Sequence, residues 1–100
     1  MSLFCIIALD AANSDQKRKQ HLDAHVANLK QLKQKGKLIA AGPFMQSHEA
    51  NASECGSMLV VDFDTQKAAE DWYKNDPYSR AGVYQTLEVR PYIDAMSFLE

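Results

Sequence analysis

Leu3-Phe4-Cys5-Ile6-Ile7-Ala8-Leu9-Asp10 is almost wholly apolar, and from Asp15 onward the hydrophobic period changes to that of a helix. The first run is too short for a helix and, closed by Asp10, reads as a buried strand. Asn13-Ser14-Asp15 then supplies N-cap residues, and the stretch to Lys35 keeps helical spacing until Gly36 offers a stop. Leu22, Val26, Leu29 and Leu32 form the apolar stripe of that helix, and His25 lies among them. A strand that feeds a long helix sets the frame for the rest of the chain.

Working outward, Lys37 to Phe44 holds Leu38, Ile39 and two alanines before Gly42-Pro43, which predicts a second strand ended by the proline. Met45 to Cys55 has no apolar period and reads as a loop. Gly56 to Phe63, with Met58, Leu59, Val60 and Val61, reads as a third strand. Asp64 or Thr65 caps a short helix through Asn75 with Ala68, Ala69 and Trp72 inward, ended because a residue before proline avoids helical angles. Tyr84 to Arg90 is the last strand, and Pro91 follows. Met45, Met58 and Met96 read as separate core fillers.

The order strand, helix, strand, strand, helix, strand is a split βαβ pattern. It predicts an α+β, ferredoxin-like domain: a four-stranded antiparallel sheet with both helices on one face. Strands as apolar as residues 58–61 argue that the other face is buried too, and a second copy of the chain is the natural cover. With no repeat or linker, the 100 residues read as one domain, residues 1–100.

Composition narrows the function classes. A net charge of −2 gives no basic field for phosphate backbones, so nucleic acid is not an expected partner. No long apolar run or signal-like opening is present, so no membrane partner is expected and the expected compartment is the cytoplasm. The two cysteines, Cys5 and Cys55, form neither a disulfide framework nor a Cys-x-x-Cys metal motif and read as reduced bystanders.

Two polar residues stand in apolar settings. His25 is on the core-facing stripe, and Asp76 opens the turn Asp76-Pro77-Tyr78 about fifty residues later. Each costs stability unless something satisfies it, so a pair in a pocket is the reading pursued. An aspartate accepting from one ring nitrogen fixes the tautomer and frees the other nitrogen to move a proton. The structural alternatives are a core histidine satisfied by one hydrogen bond and an aspartate that only ends a helix.

The segments His25-Val26-Ala27-Asn28-Leu29, Gly36-Lys37-Leu38-Ile39-Ala40-Ala41-Gly42-Pro43, Gly56-Ser57, Asp76-Pro77-Tyr78 and Ala81-Gly82-Val83-Tyr84 together resemble the YciI-like (YCII-related) proteins. The match runs over nearly the whole chain. The resemblance implies a dimeric α+β barrel of ferredoxin-like subunits whose cleft holds a histidine and an aspartate proposed as an acid/base dyad, here His25 and Asp76. It also implies kinship with a dehydrochlorinase of a chlorinated hydroxyquinol, and muconolactone isomerases have a similar barrel. One common pattern places an arginine one turn before the histidine, where this chain has Leu22.

Helix geometry offers a substitute. At about 100° per residue Arg18 falls within roughly 20° of His25 on the helical wheel. It can supply a donor fork for an oxyanion, or it can lie in the exposed first turns with its stem on the sheet edge. Ser57 at a strand start and Tyr78 in the turn are further lining residues, although an aromatic packed under a turn is the commoner outcome. Trp72 is expected to anchor the second helix on the sheet. The lysines 30, 33, 35 and 37 read as a solvated helix end. His21 precedes His25 by four residues, a metal-like spacing that His48 or Asp76 would complete. Yet Leu22 stands where the zincin pattern needs Glu, and His21 lies near the polar edge, so no metal and no cofactor are expected.

The expected function is a cofactor-free lyase or isomerase of small cyclic or aromatic acids and phenols, working as a homodimer or higher oligomer. Asp76 orients His25, His25 moves the proton, and Arg18 or a backbone N–H near Gly42 holds the developing oxyanion. The alternative is a ligand-binding or accessory domain without turnover.

Overall fold

In the computed structural model, which describes residues 2–98, the opening apolar run is a central strand, β1 (Leu3–Asp10). It is followed by α1 (Asp15–Gln34), β2 (Leu38–Met45), β3 (Glu54–Asp62), α2 (Gln66–Lys74), α3 (Pro77–Arg80) and β4 (Tyr84–Tyr92), with a 3-10 turn at Ala95–Phe98. The sheet order is β2-β3-β1-β4 with every neighbouring pair antiparallel, the α+β ferredoxin-like arrangement.

Alternation along the strands places the core. Phe4, Ile6 and Ala8 of β1, Leu59 and Val61 of β3 and Val89 of β4 pack against Leu32 of α1 and Ala69 and Tyr73 of α2. Each fully buried Ile, Leu or Val side chain there contributes about 1.5–3 kcal/mol. The opposite face, with Cys5, Ile7 and Val60 at its centre and exposed Leu9 and Tyr92 at its ends, carries no helix.

Several sequence expectations are revised. Pro43 and Pro91 lie inside strands, since β2 continues through Pro43 and β4 through Pro91. Both are edge strands, where alternate N–H groups have no ladder partner and a missing donor costs little. The loop predicted over 45–55 shrinks to residues 46–53, because Met45 and Glu54 pair. The turn at Asp76 is a separate helical turn, α3. Trp72 packs half-buried against the core and Phe63, as expected of an anchor for α2, and Tyr73 joins it as the fully buried aromatic of that helix. Met45 and Met96 are exposed and fill no core.

Two register shifts turn polar side chains toward the helix-covered face. Between β1 and β4 the pairing steps from Leu9↔Thr86 to Asp10↔Tyr84, so Gln85 is the extra residue and Tyr84 lands on the helix-covered face. Between β2 and β3 it steps from Phe44↔Gly56 to Met45↔Glu54, which skips Cys55 and brings Glu54 to the same side. A bulge inserts one residue and thereby swaps the face of everything beyond it. Gly56 sits at this step because a Cβ there would lie 2.6 Å from the Ala8 carbonyl oxygen.

Candidate active site

The buried residues of α1 are Arg18, His25 and Leu32, seven apart, which is one narrow seam along the helix. Leu22, expected inside, is 48% exposed at the edge of a cavity instead. The N-terminus of α1 is fixed by Ser14, which makes no side-chain capping bond. Its hydroxyl is shared between the carbonyl oxygens of Ala11 and Val83, at 2.8 and 2.7 Å, tying the helix start to the residue before β4.

His25 meets Asp76 across 51 residues of sequence, with Nδ1 2.8 Å from Oδ2. Asp76 is wholly buried. Its Oδ2 also accepts from the Tyr78 backbone N–H at 2.9 Å, and Oδ1 accepts from Asn28 Nδ2 at 2.7 Å. The aspartate therefore caps α3, with Pro77 in the first turn where no N–H is needed, and holds the imidazole as well. A carboxylate oxygen only accepts, so Nδ1 of His25 is the donor to Asp76, and in the neutral ring that tautomer leaves the lone pair on Nε2. Among the described residues Nε2 has no protein hydrogen-bond partner, and it is not among the buried unpaired atoms, where Ser79 Oγ stands alone. It is thus reachable from the cavity. The Tyr78 ring stacks on the imidazole at 3.8 Å and 9°, locking its plane.

That cavity, about 210 Å³, lies between α1 and β2–β3. Arg18, Gly42, Ser57 and Tyr78, the four residues proposed from sequence as substrate-binding, all line it with His25. Their states differ from the sequence reading. Arg18 is buried and not an exposed stem: Nε and Nη2 grip the two Asp10 oxygens at 2.8 Å each, Nη1 donates to Glu54 at 3.1 Å, and Nη2 also reaches the Gly56 carbonyl oxygen at 2.9 Å. Burial pulls the Arg18 pKa down, but the hydrogen bonds and charge of Asp10, helped by Tyr84 and Glu54, hold it above its ordinary value and keep the guanidinium charged. Its charge is already answered by carboxylates, so it is not a free anion fork. Tyr78 contributes its ring face more than its hydroxyl, being buried between His25 and the Arg18 guanidinium 5.1 Å away.

Ser57 Oγ receives a hydrogen bond from Arg18 Nη2 at 3.2 Å and pairs with the Tyr84 hydroxyl at 2.8 Å, which in turn pairs closely with the Tyr73 hydroxyl. Burial raises the pKa of Tyr84 and, further, that of Tyr73, so both remain protonated donors. Asp10, Asn28, Glu54 and Tyr84 were not singled out from the sequence. Asn28 was legible, one helical turn past His25 on the same face; Glu54 and Tyr84 were not, because register shifts deliver them. His21 and His48 do not join His25, and among the described residues no three His, Cys, Asp or Glu side chains converge as a metal would need. Cys5 and Cys55 are both free. No helix among the described residues is long and apolar enough to cross a membrane.

The sequence profile of the YCII-related domain matches residues 2–93. The chain belongs to the YCII-related family. Protein YciI of Escherichia coli is 38% identical over 93 residues, covering 90% of this chain and 95% of that one. An uncharacterised protein of Haemophilus influenzae is 38% identical over 92 residues, covering 89% and 94%. Among solved structures, 5-chloro-2-hydroxyhydroquinone dehydrochlorinase from Burkholderia phenoliruptrix, in complex with 2,5-dihydroxybenzoquinone, superposes with a TM-score of 0.82 at 27% identity, covering 91% of this chain and 93% of that one.

Proposed function

We propose that this protein is a cofactor-free lyase or isomerase acting on a small hydroxylated ring, with His25 as the group that moves the proton and Asp76 as its positioning partner. The observation that carries the reading is an imidazole with one nitrogen bound to a buried carboxylate and the other open to a cavity of about 210 Å³. A cavity of about 150 Å³ takes benzene, so this one has room for a substituted six-membered ring. The likeness to the dehydrochlorinase supports a ring substrate.

In the proposed chemistry Nε2 takes a proton from a ring hydroxyl, whose oxygen becomes a carbonyl, and returns it to a ring carbon. That first transfer alone is an isomerisation. Where the carbon carries chloride, a second hydroxyl gives up its proton as the C–Cl bond breaks with its electron pair, releasing HCl and leaving a quinone. Asp76 keeps Nδ1 protonated and stabilises the imidazolium formed in between. The Ser57–Tyr84–Tyr73 hydroxyls, backed by Arg18, and the backbone near Gly42 are the nearby groups that face oxyanion character in the ring.

The uncovered sheet face, with Ile7, Leu9 and Tyr92, is the surface on which a second copy would close a dimeric barrel. Light scattering during size exclusion reads that mass directly, and a monomer at all concentrations would overturn it.

The deciding experiment measures turnover of a chlorinated hydroxyquinol by the native protein and by His25→Gln. A fall of about 10²–10⁴-fold in kcat is expected. An unchanged rate would remove His25 from the chemistry, and tight ring binding without turnover in the native protein would favour a ligand-binding role.

A further inference from the structure

We infer that Glu54 is a charge filter that makes this cavity select uncharged hydroxylated rings over ring carboxylates. The inference rests on the acid/base reading of His25 and adds the class of ring that site accepts.

Apart from His25, Arg18 is the one basic residue lining the cavity. Asp10 balances it through a two-point contact, its two oxygens each 2.8 Å from a guanidinium nitrogen. Glu54 then adds a second carboxylate, held by a single 3.1 Å contact to Nη1. Its Oε1 accepts no hydrogen bond among the described residues, and the side chain is 42% exposed. The cluster therefore carries one negative charge more than it neutralises. Farther out, in the adjoining groove, Asp15 and Lys19 are of opposite sign and offset each other.

Two acceptors consequently face an incoming ring, the Nε2 lone pair and the free Glu54 oxygen, and both suit hydroxyl donors. A carboxylate finds no unclaimed cation among the side chains lining the cavity and meets the like charge of Glu54. Leu22, Val26, Leu29 and Pro43 supply the apolar wall for the ring itself. The register shift that swings Glu54 onto this face makes the arrangement a built feature of the β2–β3 edge.

The test is calorimetric titration of the native protein and Glu54→Gln with two probes sharing one ring, hydroquinone and 2,5-dihydroxybenzoate. The native protein should favour hydroquinone by about 5-fold or more, the factor that like-charge repulsion at ~4 Å in a water-like medium converts to. Glu54→Gln should reduce that preference by a similar factor. High salt should narrow it in the native protein alone, since screening acts on charge and not on shape. Equal or tighter binding of the benzoate by the native protein overturns the filter while leaving the acid/base reading intact. So does a preference that survives both Glu54→Gln and salt, because it would be steric. Binding of neither ring overturns the filter and the site reading together.

Discussion

Asp76 does two jobs that substitutions can separate. Asp76→Ala strands three donors: the Tyr78 N–H at the start of α3, Asn28 Nδ2 and His25 Nδ1. Loss of a helix cap costs about 1 kcal/mol, and leaving a buried donor unpaired costs about 1–3 kcal/mol. Asn28 and His25 sit near the cavity where water can replace part of the loss, so the total comes to about 3–4 kcal/mol. For a chain of this size that lowers Tm by roughly 12–32 °C. Asp76→Asn keeps the shape. Its amide oxygen can still accept from Tyr78 and His25, and its NH₂ faces Asn28, whose own amide can flip to present oxygen. Only the charge assistance is lost, about 1–2 kcal/mol. Thermal and urea unfolding of the three proteins should therefore rank native, Asn, Ala. Imidazole nitrogen NMR should show Nδ1 protonated and Nε2 bare in the native protein and a mixture of tautomers in Asp76→Ala. Equal losses for the two variants, or a neutral native His25 with its single proton on Nε2, would refute the network as described.

Three further outcomes follow from the contacts of Arg18, Tyr73 and Gly56. Arg18→Met leaves Asp10 buried and uncompensated and should cost about 3–5 kcal/mol in urea unfolding, whereas Arg18→Met with Asp10→Leu should recover most of that; a double variant no better than the single would deny the pairing energy. Tyr73 has its pKa raised by burial, so the folded state holds a proton that the unfolded chain releases near pH 10; its contribution to stability is full below that value and falls by about 1.4 kcal/mol per pH unit above it, beside a like contribution from Tyr84. Tyr73→Phe should flatten that alkaline loss, and an unchanged slope in denaturation at high pH would exclude Tyr73 as its source. Gly56→Ala should destabilise by about 1–3 kcal/mol through the clash with the Ala8 carbonyl, measured by thermal unfolding against Gly42→Ala, where a Cβ meets nothing within 4 Å.

Much of the architecture was legible because it is local. The strand run Leu3–Leu9, the helix stop at Gly36 and the apolar segment at 58–61 state their periods in the chain, and period is what burial on one face or two imposes. The prolines misled at both edges because a proline's penalty depends on whether its strand has a neighbour on that side, and sheet order is not written locally. His25 and Asp76 stood out by type against an apolar or turn background, which is a statement about cost.

What tertiary structure alone decided is where that cost is met. The 2.8 Å contact between His25 and Asp76, the capture of Arg18 by Asp10 and Glu54, and the arrival of Tyr84 beside Ser57 all join residues distant in sequence. Glu54 and Tyr84 reach the helix-covered face through single-residue register shifts, and a shift of one residue reverses the face of a strand without altering its composition. Sequence fixes which side chains must be satisfied; only the packed sheet and helices determine which of them satisfy one another, because that choice is made by contacts of the whole fold.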